Sequence, residues 1–321
     1  MIGKDANLRQ LRSLLTKSTF LLLDVISFIL FGLTFFAIPS IWKTILLTAG
    51  STFLTLGITL PIAIYYQNKF NYESFELLKA CDISGIKAIF TSRQQDDSNL
   101  RDAIEEASQT TSNEIFMLGI CMRTVFDPNI PHTPYFLAKI NSPQIRLRVI
   151  ILDPKSPAAK RRAAIEIGSN TIDDIKTTIN RGLVSTAQTR FTDLMRDNGD
   201  FEYMIRKHKD TNDHDEKAKI LERIMEHVNL SVHLYSKVDP ILFIMGFDDT
   251  LFAEQYHFGR EEGVVPFGGC IGKYVPVIQF KRESRCYSIF KCHFEYMWQD
   301  CSQDITHTII NLAIKDFPLE Q

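Results

Sequence analysis

The segment IRLRVIILDPKSPAAKRRA, at Ile145–Ala163, combines a strand pattern with a helix start. Two arginines alternate with apolar residues at its beginning, and a wholly apolar run then extends to Leu152, which is typical of a strand buried in a sheet. Asp153–Pro154 ends this run, and Ser156 followed by Pro157 supplies a capping hydroxyl and a proline suited to a first helical turn. The segment therefore predicts a strand followed by a helix.

Strand and helix patterns alternate on both sides of this segment. Further short apolar or alternating runs predict strands, and amphipathic stripes between them predict helices. The strand runs are Gly85–Phe90, Ile115–Ile120, Leu230–Tyr235, Ile241–Phe247 and Tyr274–Phe280. This order predicts a layered α/β domain over residues 85–321, with a mainly parallel or mixed sheet.

Two long apolar segments precede this domain. Ser18–Trp42 contains one charged residue, Asp24, and Thr44–Asn68 contains none. Each is long enough to cross a bilayer as a helix, which needs roughly 20 apolar residues. Because the turn between them is very short, residues 18–68 predict a transmembrane helical hairpin, which a linker at residues 69–84 joins to the α/β domain.

Basic residues give the predicted orientation of this hairpin. Lys4, Arg9, Arg12 and Lys17 precede the first segment, whereas the turn offers only Lys43. This excess places the N-terminal segment, residues 1–17, in the cytoplasm, and two crossings return the chain there. The sequence thus predicts a multi-pass protein of the inner (cytoplasmic) membrane, with the lipid bilayer as a partner and both termini in the cytoplasm.

The composition argues against several classes of partner. A formal net charge of −2 at pH 7 disfavours general binding of nucleic acid, which needs a marked excess of lysine and arginine. The six cysteines lack the paired spacing of a zinc site, so neither a metal nor a cofactor is predicted. The basic run Lys160–Arg162 is predicted to be a solvated helix face.

The order of these segments resembles the phospholipase D-like superfamily, in a degenerate form found in bacterial proteins. The resemblance covers most of Gly85–Cys301. It rests on GIKAIFTSR (Gly85–Arg93), NEIFMLGI (Asn113–Ile120), IRLRVIILDPKSPAAKRRA (Ile145–Ala163), VHLYSKVDPILFIMGFDDTLFAEQYHFG (Val232–Gly259) and SIFKCHFEYMWQDC (Ser288–Cys301). It implies a phospholipase D-like domain that forms a homodimer or higher homo-oligomer and takes a phosphate-containing small ligand.

Active members of that superfamily carry His-x-Lys, four further residues and Asp. Their histidine attacks phosphorus, their lysine holds the phosphate oxygens, and their aspartate orients a histidine. The equivalent positions here are Leu242, Ile244 and Asp249, so only the acid is present. Shifting the register does not restore the motif, because His233 and Lys237 are four residues apart rather than two. The resemblance therefore predicts a catalytically silent domain.

Candidate ligand-binding residues follow the predicted strands. Asp248 and Asp249 come directly after an apolar run, a place where α/β domains tend to bind ligands, with a turn-capping role as the alternative. Tyr256, His257 and Arg260 lie just beyond and are predicted to line the same pocket. Packing within an aromatic stretch is the alternative role for His257.

Two further possibilities concern an anion contact and a rearranged catalytic set. Arg123 follows the IFMLGI strand and is predicted either to contact an anion or to form a surface salt bridge. Asp249, Glu254 and His257 together offer the carboxylates and imidazole of an atypical phosphodiesterase.

These observations lead to one expected function and two alternatives. The expected function is a membrane-anchored sensor or effector module with a catalytically degenerate phospholipase D-like domain, of the kind that acts in bacterial stress or phage defence. The first alternative is a membrane-bound phosphodiesterase or nuclease with an atypical active site. The second alternative is a membrane scaffold that binds a protein partner.

Overall fold

The computed structural model describes residues 22, 25–34, 39–91, 98–126, 134–165, 171–256 and 275–319. The chain divides into two compact units, Met1–Ala80 and Cys81–Gln321. The first unit is helical where it is described, and the second contains a sheet and the helices that cover it.

Two helical segments of the first unit pack against each other. Residues 25–33 are helical, and a longer helix, α1, runs over Ser40–Ser84. The Ser27 hydroxyl donates a hydrogen bond of 2.7 Å to the Gly50 carbonyl oxygen. A Cβ atom on Gly50 would lie 3.4 Å from the Phe31 ring, which is ordinary van der Waals contact. The predicted linker at residues 69–84 is the continuation of α1.

The predicted membrane spans are wrong. Among the described residues, no helix is long and apolar enough to cross a membrane. In α1, the hydroxyl side chains of Thr44, Thr48 and Thr52 interrupt the apolar run and bond to carbonyls of the preceding turn. This finding contradicts the predicted multi-pass location in the inner membrane with both termini in the cytoplasm.

In the described part of the second unit, eight strands form one mixed sheet. They are β1 Ile86–Phe90, β2 Glu114–Gly119, β3 Arg146–Leu152, β4 Leu230–Tyr235, β5 Leu242–Gly246, β6 Thr250–Gln255, β7 Val277–Lys281 and β8 Ser302–Asp304. Their order across the sheet is β1-β7-β6-β5-β2-β3-β4-β8. Strands β2, β3 and β4 are parallel, and every other neighbouring pair is antiparallel. The predicted α/β fold with a mixed sheet is therefore confirmed.

Helices connect and cover these strands. They are α2 Ser98–Thr110, α3 Arg123–Phe126, α4 Pro134–Asn141, α5 Pro157–Ile165, α6 Thr171–Thr177, α7 Val184–Asp197, α8 Gly199–Asp210, α9 His214–Val228, α10 Arg285–Tyr296 and α11 Thr306–Asp316. Thr178–Leu183 and Met297–Cys301 are π-helical turns. Phe116 of β2 contacts Phe294 of α10, with ring centroids 4.8 Å apart, so α10 covers one face of the sheet.

The strand and helix predicted within Ile145–Ala163 are confirmed. The strand is β3, in which Leu147 and Val149 are fully buried. The helix is α5, and the Ser156 hydroxyl accepts a hydrogen bond of 3.1 Å from the Ala159 backbone N–H, as a capping residue does.

A buried arginine, Arg190 of α7, joins several elements at the edge where the parallel strands begin. Its guanidinium donates hydrogen bonds of 2.6–3.1 Å to four backbone carbonyl oxygens. These oxygens belong to Ile140 in α4, Ile145 before β3, Val228 at the end of α9 and Asn229 before β4. Arg190 therefore fixes two helix ends against the starts of two strands.

Candidate functional site

The parallel strands end together at one edge of the sheet, which we call the carboxyl edge. Strands β2, β3 and β4 end there at Gly119, Leu152 and Tyr235. Strand β6 runs in the same direction, because β5 is antiparallel to both β2 and β6, so Tyr256 lies at the same edge. Ligands of open α/β sheets bind outside the carboxyl ends of strands, which makes this edge the first place to look for a site.

Tyr256 and Arg162 meet at the carboxyl edge. The Ile120 backbone N–H donates a hydrogen bond of 3.3 Å to the Tyr256 hydroxyl oxygen, directly after β2 ends. The guanidinium carbon of Arg162 lies 5.6 Å from the centre of the Tyr256 ring, within the range of a cation–π interaction. Arg162 is only 1% exposed, although it lies on α5 beside the exposed Lys160 and Arg161.

The Tyr235 hydroxyl is the most unusual polar group at this edge. Tyr235 is 1% exposed, and among the described residues its hydroxyl has no hydrogen-bond partner. Burial raises its pKa well above the ordinary value, nearby Tyr256 adds to the rise, and the charge of Arg162 partly offsets it. The hydroxyl is therefore neutral and keeps a proton to donate. A buried polar group without a partner costs about 1–3 kcal/mol, so such a group calls for an explanation.

Glu254 adds a buried carboxylate to the same region. It is 2% exposed and lies two residues before Tyr256 on β6, so both side chains lie on one face of the sheet. Arg162 and Glu254 each interact with further protein groups. Buried ionisable groups at the carboxyl edge are the pattern expected of a functional site.

The backbone is strained beside these residues. Met122, three residues after β2, has a φ of 49°, in the left-handed region that a residue with a long side chain rarely adopts. Met122 is buried, so the surrounding core holds this conformation. Strained backbone of this kind occurs preferentially at binding and catalytic sites, which favours the carboxyl edge further.

Asp248 and Asp249 lie at the opposite edge. Strand β5 runs antiparallel to β2, so the residues that follow it lie where the parallel strands begin. The Asp248 carboxylate accepts hydrogen bonds of 2.8–3.0 Å from the backbone N–H groups of Ser112, Asn113 and Glu114. Burial raises the pKa of Asp248, but these hydrogen bonds outweigh it and leave the pKa below its ordinary value. Asp248 thus fixes the turn before β2. This is the turn-capping role that the sequence offered as the alternative to ligand binding.

Asp249 forms an ion pair on the surface. Its side chain is 63% exposed and lies 3.4 Å from a guanidinium nitrogen of Arg282. The other two positions of the phospholipase D-like motif, Leu242 and Ile244, lie within β5, and Ile244 is fully buried. The three positions therefore present neither an imidazole nor an ammonium group.

The remaining predicted residues divide between the carboxyl edge and the part of the chain outside the described residues. Arg123, after β2, is half-exposed and forms a 2.8 Å ion pair with Asp174. It therefore forms a surface salt bridge, the second of the two roles predicted for it. His257 and Arg260 lie outside the described residues.

The structure does not bring the rearranged catalytic set together. Asp249 and Glu254 lie at opposite ends of β6, five residues apart, which corresponds to about 16 Å along a strand. Two carboxylates at that separation do not act on one phosphodiester. Across the described ranges, no three His, Cys, Asp or Glu side chains are grouped to hold a metal ion.

Sequence reasoning missed Arg162 and Tyr235. The prediction that Lys160–Arg162 is a solvated helix face is wrong for Arg162, because the third residue of this run points inward from α5. Its neighbours Lys160 and Arg161 are exposed, so nothing in the run itself distinguishes the buried arginine. Tyr235 gave a weaker signal as an aromatic residue with a polar group at the end of a predicted strand.

A second cluster of charges lies under α10. The Arg148 guanidinium, on β3, makes two parallel hydrogen bonds of 2.7 Å to the Glu295 carboxylate and also bonds to Glu114. The Lys291 ammonium lies 2.6 Å from a Glu114 oxygen and 3.6 Å from the centre of the Phe116 ring. Every charge in this cluster has an opposite partner. The cluster therefore attaches α10 to the sheet and leaves no group directed at a ligand.

Acidification is expected to weaken this attachment. Hydrogen bonds from Arg148 hold the pKa of Glu295 below the ordinary 4.5. Burial raises the pKa of Glu114, but the hydrogen bonds and charges of Arg148 and Lys291 together outweigh it and leave that pKa lowered. Carboxyl groups with lowered folded pKa values stabilise the fold above the ordinary pKa, and this contribution is lost as the pH falls through the folded values. The urea midpoint of Glu295→Gln should fall less between pH 6 and pH 3 than that of the wild type. Glu222→Gln, at an exposed position, is the control and should behave like the wild type. An equal fall of the urea midpoint in the wild type and in Glu295→Gln would contradict this role.

Comparison with known proteins adds little to this geometry. No protein-family model and no curated protein matches the chain. Among solved structures, the archaeal chromatin protein TrmBL2, described as showing a novel mode of DNA binding, is similar with 11% identity and a TM-score of 0.33. That similarity covers 80% of this chain and 70% of the other. At such a score it supports no argument, and the resemblance to the phospholipase D-like superfamily stays a prediction.

Proposed function

We propose that the second unit is a catalytically silent ligand-sensing domain that binds a small polar molecule at the carboxyl edge. The observation that supports this best is the buried Tyr235 hydroxyl, which has no partner among the described residues and lies near Arg162 and Tyr256. A ligand that hydrogen-bonds to this hydroxyl would remove the cost of burying it alone. The strained backbone at Met122 supports the same location.

The chemistry of the domain favours binding over catalysis. Phosphodiester cleavage of the phospholipase D type needs an imidazole nucleophile and an ammonium group, and Leu242 and Ile244 supply neither. The alternative set of Asp249, Glu254 and His257 has two members at opposite ends of β6. The predicted effector role in stress or phage defence depends on a membrane hairpin, so it forms no part of this proposal. Self-association remains a separate prediction from the resemblance.

Tyr235→Phe tests the proposal, because it removes one oxygen atom and keeps the ring. In the ligand-free protein, the variant should be more stable than the wild type by about 1 kcal/mol, since it no longer buries an unpaired hydroxyl. In the presence of the ligand, the order should reverse, because only the wild type gains the hydrogen bond. Thermal unfolding of both proteins, with and without compounds from a metabolite library, measures the two effects.

Tyr203→Phe is the matched control, because Tyr203 is exposed on α8 and lies within the same unit. It should change neither the unfolding temperature nor the response to any compound. A wild type that responds to no compound, together with a Tyr235→Phe variant of unchanged stability, would reject the proposal. That outcome would mean that the hydroxyl already has a partner within the protein or in bound water.

A further inference from the structure

The outer face of α10 carries apolar side chains at regular spacing. α10 and the π-helical turn after it form one helical segment, Arg285–Cys301. The inner side of this segment packs in the core through three buried side chains, Phe294, Met297 and Cys301. The outer side presents Ile289, Cys292 and Tyr296, and both Ile289 and Tyr296 are more than half exposed. Their spacing of three and then four residues is that of a helix face that packs against another helix.

Two charged residues flank these apolar side chains, and their order opposes the helix dipole. Arg285 stands in the first turn, where the helix favours acidic groups, and Asp300 stands in the π-helical turn at the other end, where basic groups are favoured. Both side chains are exposed, and among the described residues neither takes part in an ion pair. The helix by itself is therefore not stabilised by this placement of charge.

The same face is complementary to a second copy of itself. Two identical antiparallel helices that cross between residues 292 and 293 set residue 285 against residue 300, because both are equally far from the crossing. Each Arg285 then faces an Asp300, and each Ile289 faces a Tyr296 in the same way. A two-fold symmetric interface has this property, since every contact occurs twice. A parallel arrangement would instead set Arg285 against Arg285.

From this complementarity we infer that the protein forms an antiparallel two-fold dimer through the outer face of α10. A second copy is favoured over an unrelated partner, because this one face supplies both members of each contact. A single helix face is a small interface, so the dimer should be reversible, with a dissociation constant of about 1–100 µM. The inference gives a surface to the self-association that the resemblance predicts, and it does not depend on a ligand at the carboxyl edge.

Exchange of the two charges tests the arrangement. Sedimentation velocity of the full chain, over about 1–100 µM, measures the dissociation constant. Arg285→Asp and Asp300→Arg each place like charges against one another twice, so each should raise that constant by about tenfold. The double variant restores opposite charges and should return the constant to within about threefold of the wild-type value.

Ile289→Ser tests the apolar contact. It removes the aliphatic side chain from both copies, so the dissociation constant should rise by about tenfold. Ile241→Ser is the matched control, because Ile241 is 51% exposed in the same unit but lies outside α10. That variant should leave the dissociation constant unchanged.

Cys292 allows the dimer to be trapped. In the proposed arrangement it lies beside the crossing point, so the two Cys292 thiols face each other across the symmetry axis. Diamide, which accepts the two electrons and two protons that the thiols lose, should give a disulfide-linked dimer. Cys292→Ser should abolish this product, whereas Cys286→Ser, at a half-buried position of the same helix, should keep it. Arg285→Asp should slow its formation.

Three outcomes would overturn the inference. A chain that stays monomeric up to about 100 µM would reject the dimer. A dimer that Arg285→Asp, Asp300→Arg and Ile289→Ser leave unchanged would place the contact on another surface. Weakening by both single charge variants without recovery in the double variant would reject the antiparallel pairing. The ligand response of Tyr235→Phe is measured separately, so none of these outcomes decides the proposed function.

Discussion

Arg190→Met is expected to lower the free energy of unfolding by about 3–5 kcal/mol, the range seen when one partner of a buried charged contact is removed. Arg190 is fully buried, and its guanidinium bonds to the carbonyl oxygens of Ile140, Ile145, Val228 and Asn229. Burial lowers its pKa to about 9, so the group is still charged at pH 7. The substitution leaves four carbonyl oxygens without this donor.

An apolar residue does not compensate for this loss. Replacing a whole buried ion pair by apolar residues is often neutral, because both charged partners disappear together. Here the partners are backbone carbonyl groups, which no substitution removes. Methionine replaces the aliphatic stem of the side chain but not the guanidinium, so the loss combines the missing hydrogen bonds with the space that the guanidinium leaves.

Two control variants make the measurement specific. Arg196→Met changes a 71% exposed side chain on the same helix and should cost less than about 0.5 kcal/mol. Arg190→Lys keeps the charge but has fewer N–H donors than a guanidinium. Its loss of unfolding free energy should therefore lie between those of Arg196→Met and Arg190→Met. The chain has two tryptophans, Trp42 and Trp298. Urea unfolding followed by fluorescence in a Trp42→Phe background therefore reports through Trp298 on the unit that contains Arg190. An Arg190→Met variant within about 1 kcal/mol of the wild type would show that the carbonyl groups find other donors.

The strands were predictable because their signal is local. The run at Leu230–Tyr235 matches β4 residue for residue, and the apolar half of Ile145–Leu152 gives β3 with little error. Side-chain periodicity and turn residues report on a few neighbouring positions, and those positions determine whether a strand forms. The mixed sheet follows from alternating strands and helices.

The direction of a strand carries no such local signal. The run at Ile241–Phe247 predicts β5 correctly, but nothing in it shows that β5 runs antiparallel to β2. For that reason Asp248 and Asp249 were predicted beside Tyr256, whereas the structure places them at the other edge of the sheet. The structure therefore separates Asp248 and Asp249 from Tyr256, with which they were predicted to share a pocket.

Buried arginines show a second limit of the sequence. Arg162 and Arg190 lie in helices whose composition is polar, and each stands among residues that do face water. Their burial is set by elements far away in the chain, such as β6 for Arg162 and α4 for Arg190. A helix pattern separates an apolar face from a polar one, but it does not show that a polar residue is enclosed by a second layer.

The apolar segments before the domain show a third limit. The prediction of a helix over Thr44–Asn68 agrees with α1, and the contact between Ser27 and Gly50 agrees with a hairpin. Among the described residues, however, no helix is long and apolar enough to cross a membrane.

Gly246→Ala is expected to lower the free energy of unfolding by about 3 kcal/mol, at the upper end of the usual cost of overpacking a core. Gly246 of β5 pairs directly with Phe116 of β2, and a Cβ atom on Gly246 would lie 1.9–2.5 Å from three atoms of the Phe116 ring. The ring has little room to move, because Phe294 packs on it and the Lys291 ammonium lies 3.6 Å from its centre.

Replacing the Phe116 ring by a smaller side chain tests the cause of this loss. Phe116→Leu alone should destabilise, but in combination with Gly246→Ala it should recover part of the loss, because the two changes relieve one contact. Gly199→Ala is the control, since nothing lies within 4 Å of its added carbon and Gly199 begins a helix. That variant should be neutral or stabilised by about 0.5–1 kcal/mol, because alanine restricts the unfolded chain. Additive losses in the double variant would show that the Phe116 ring is not what excludes a side chain at Gly246.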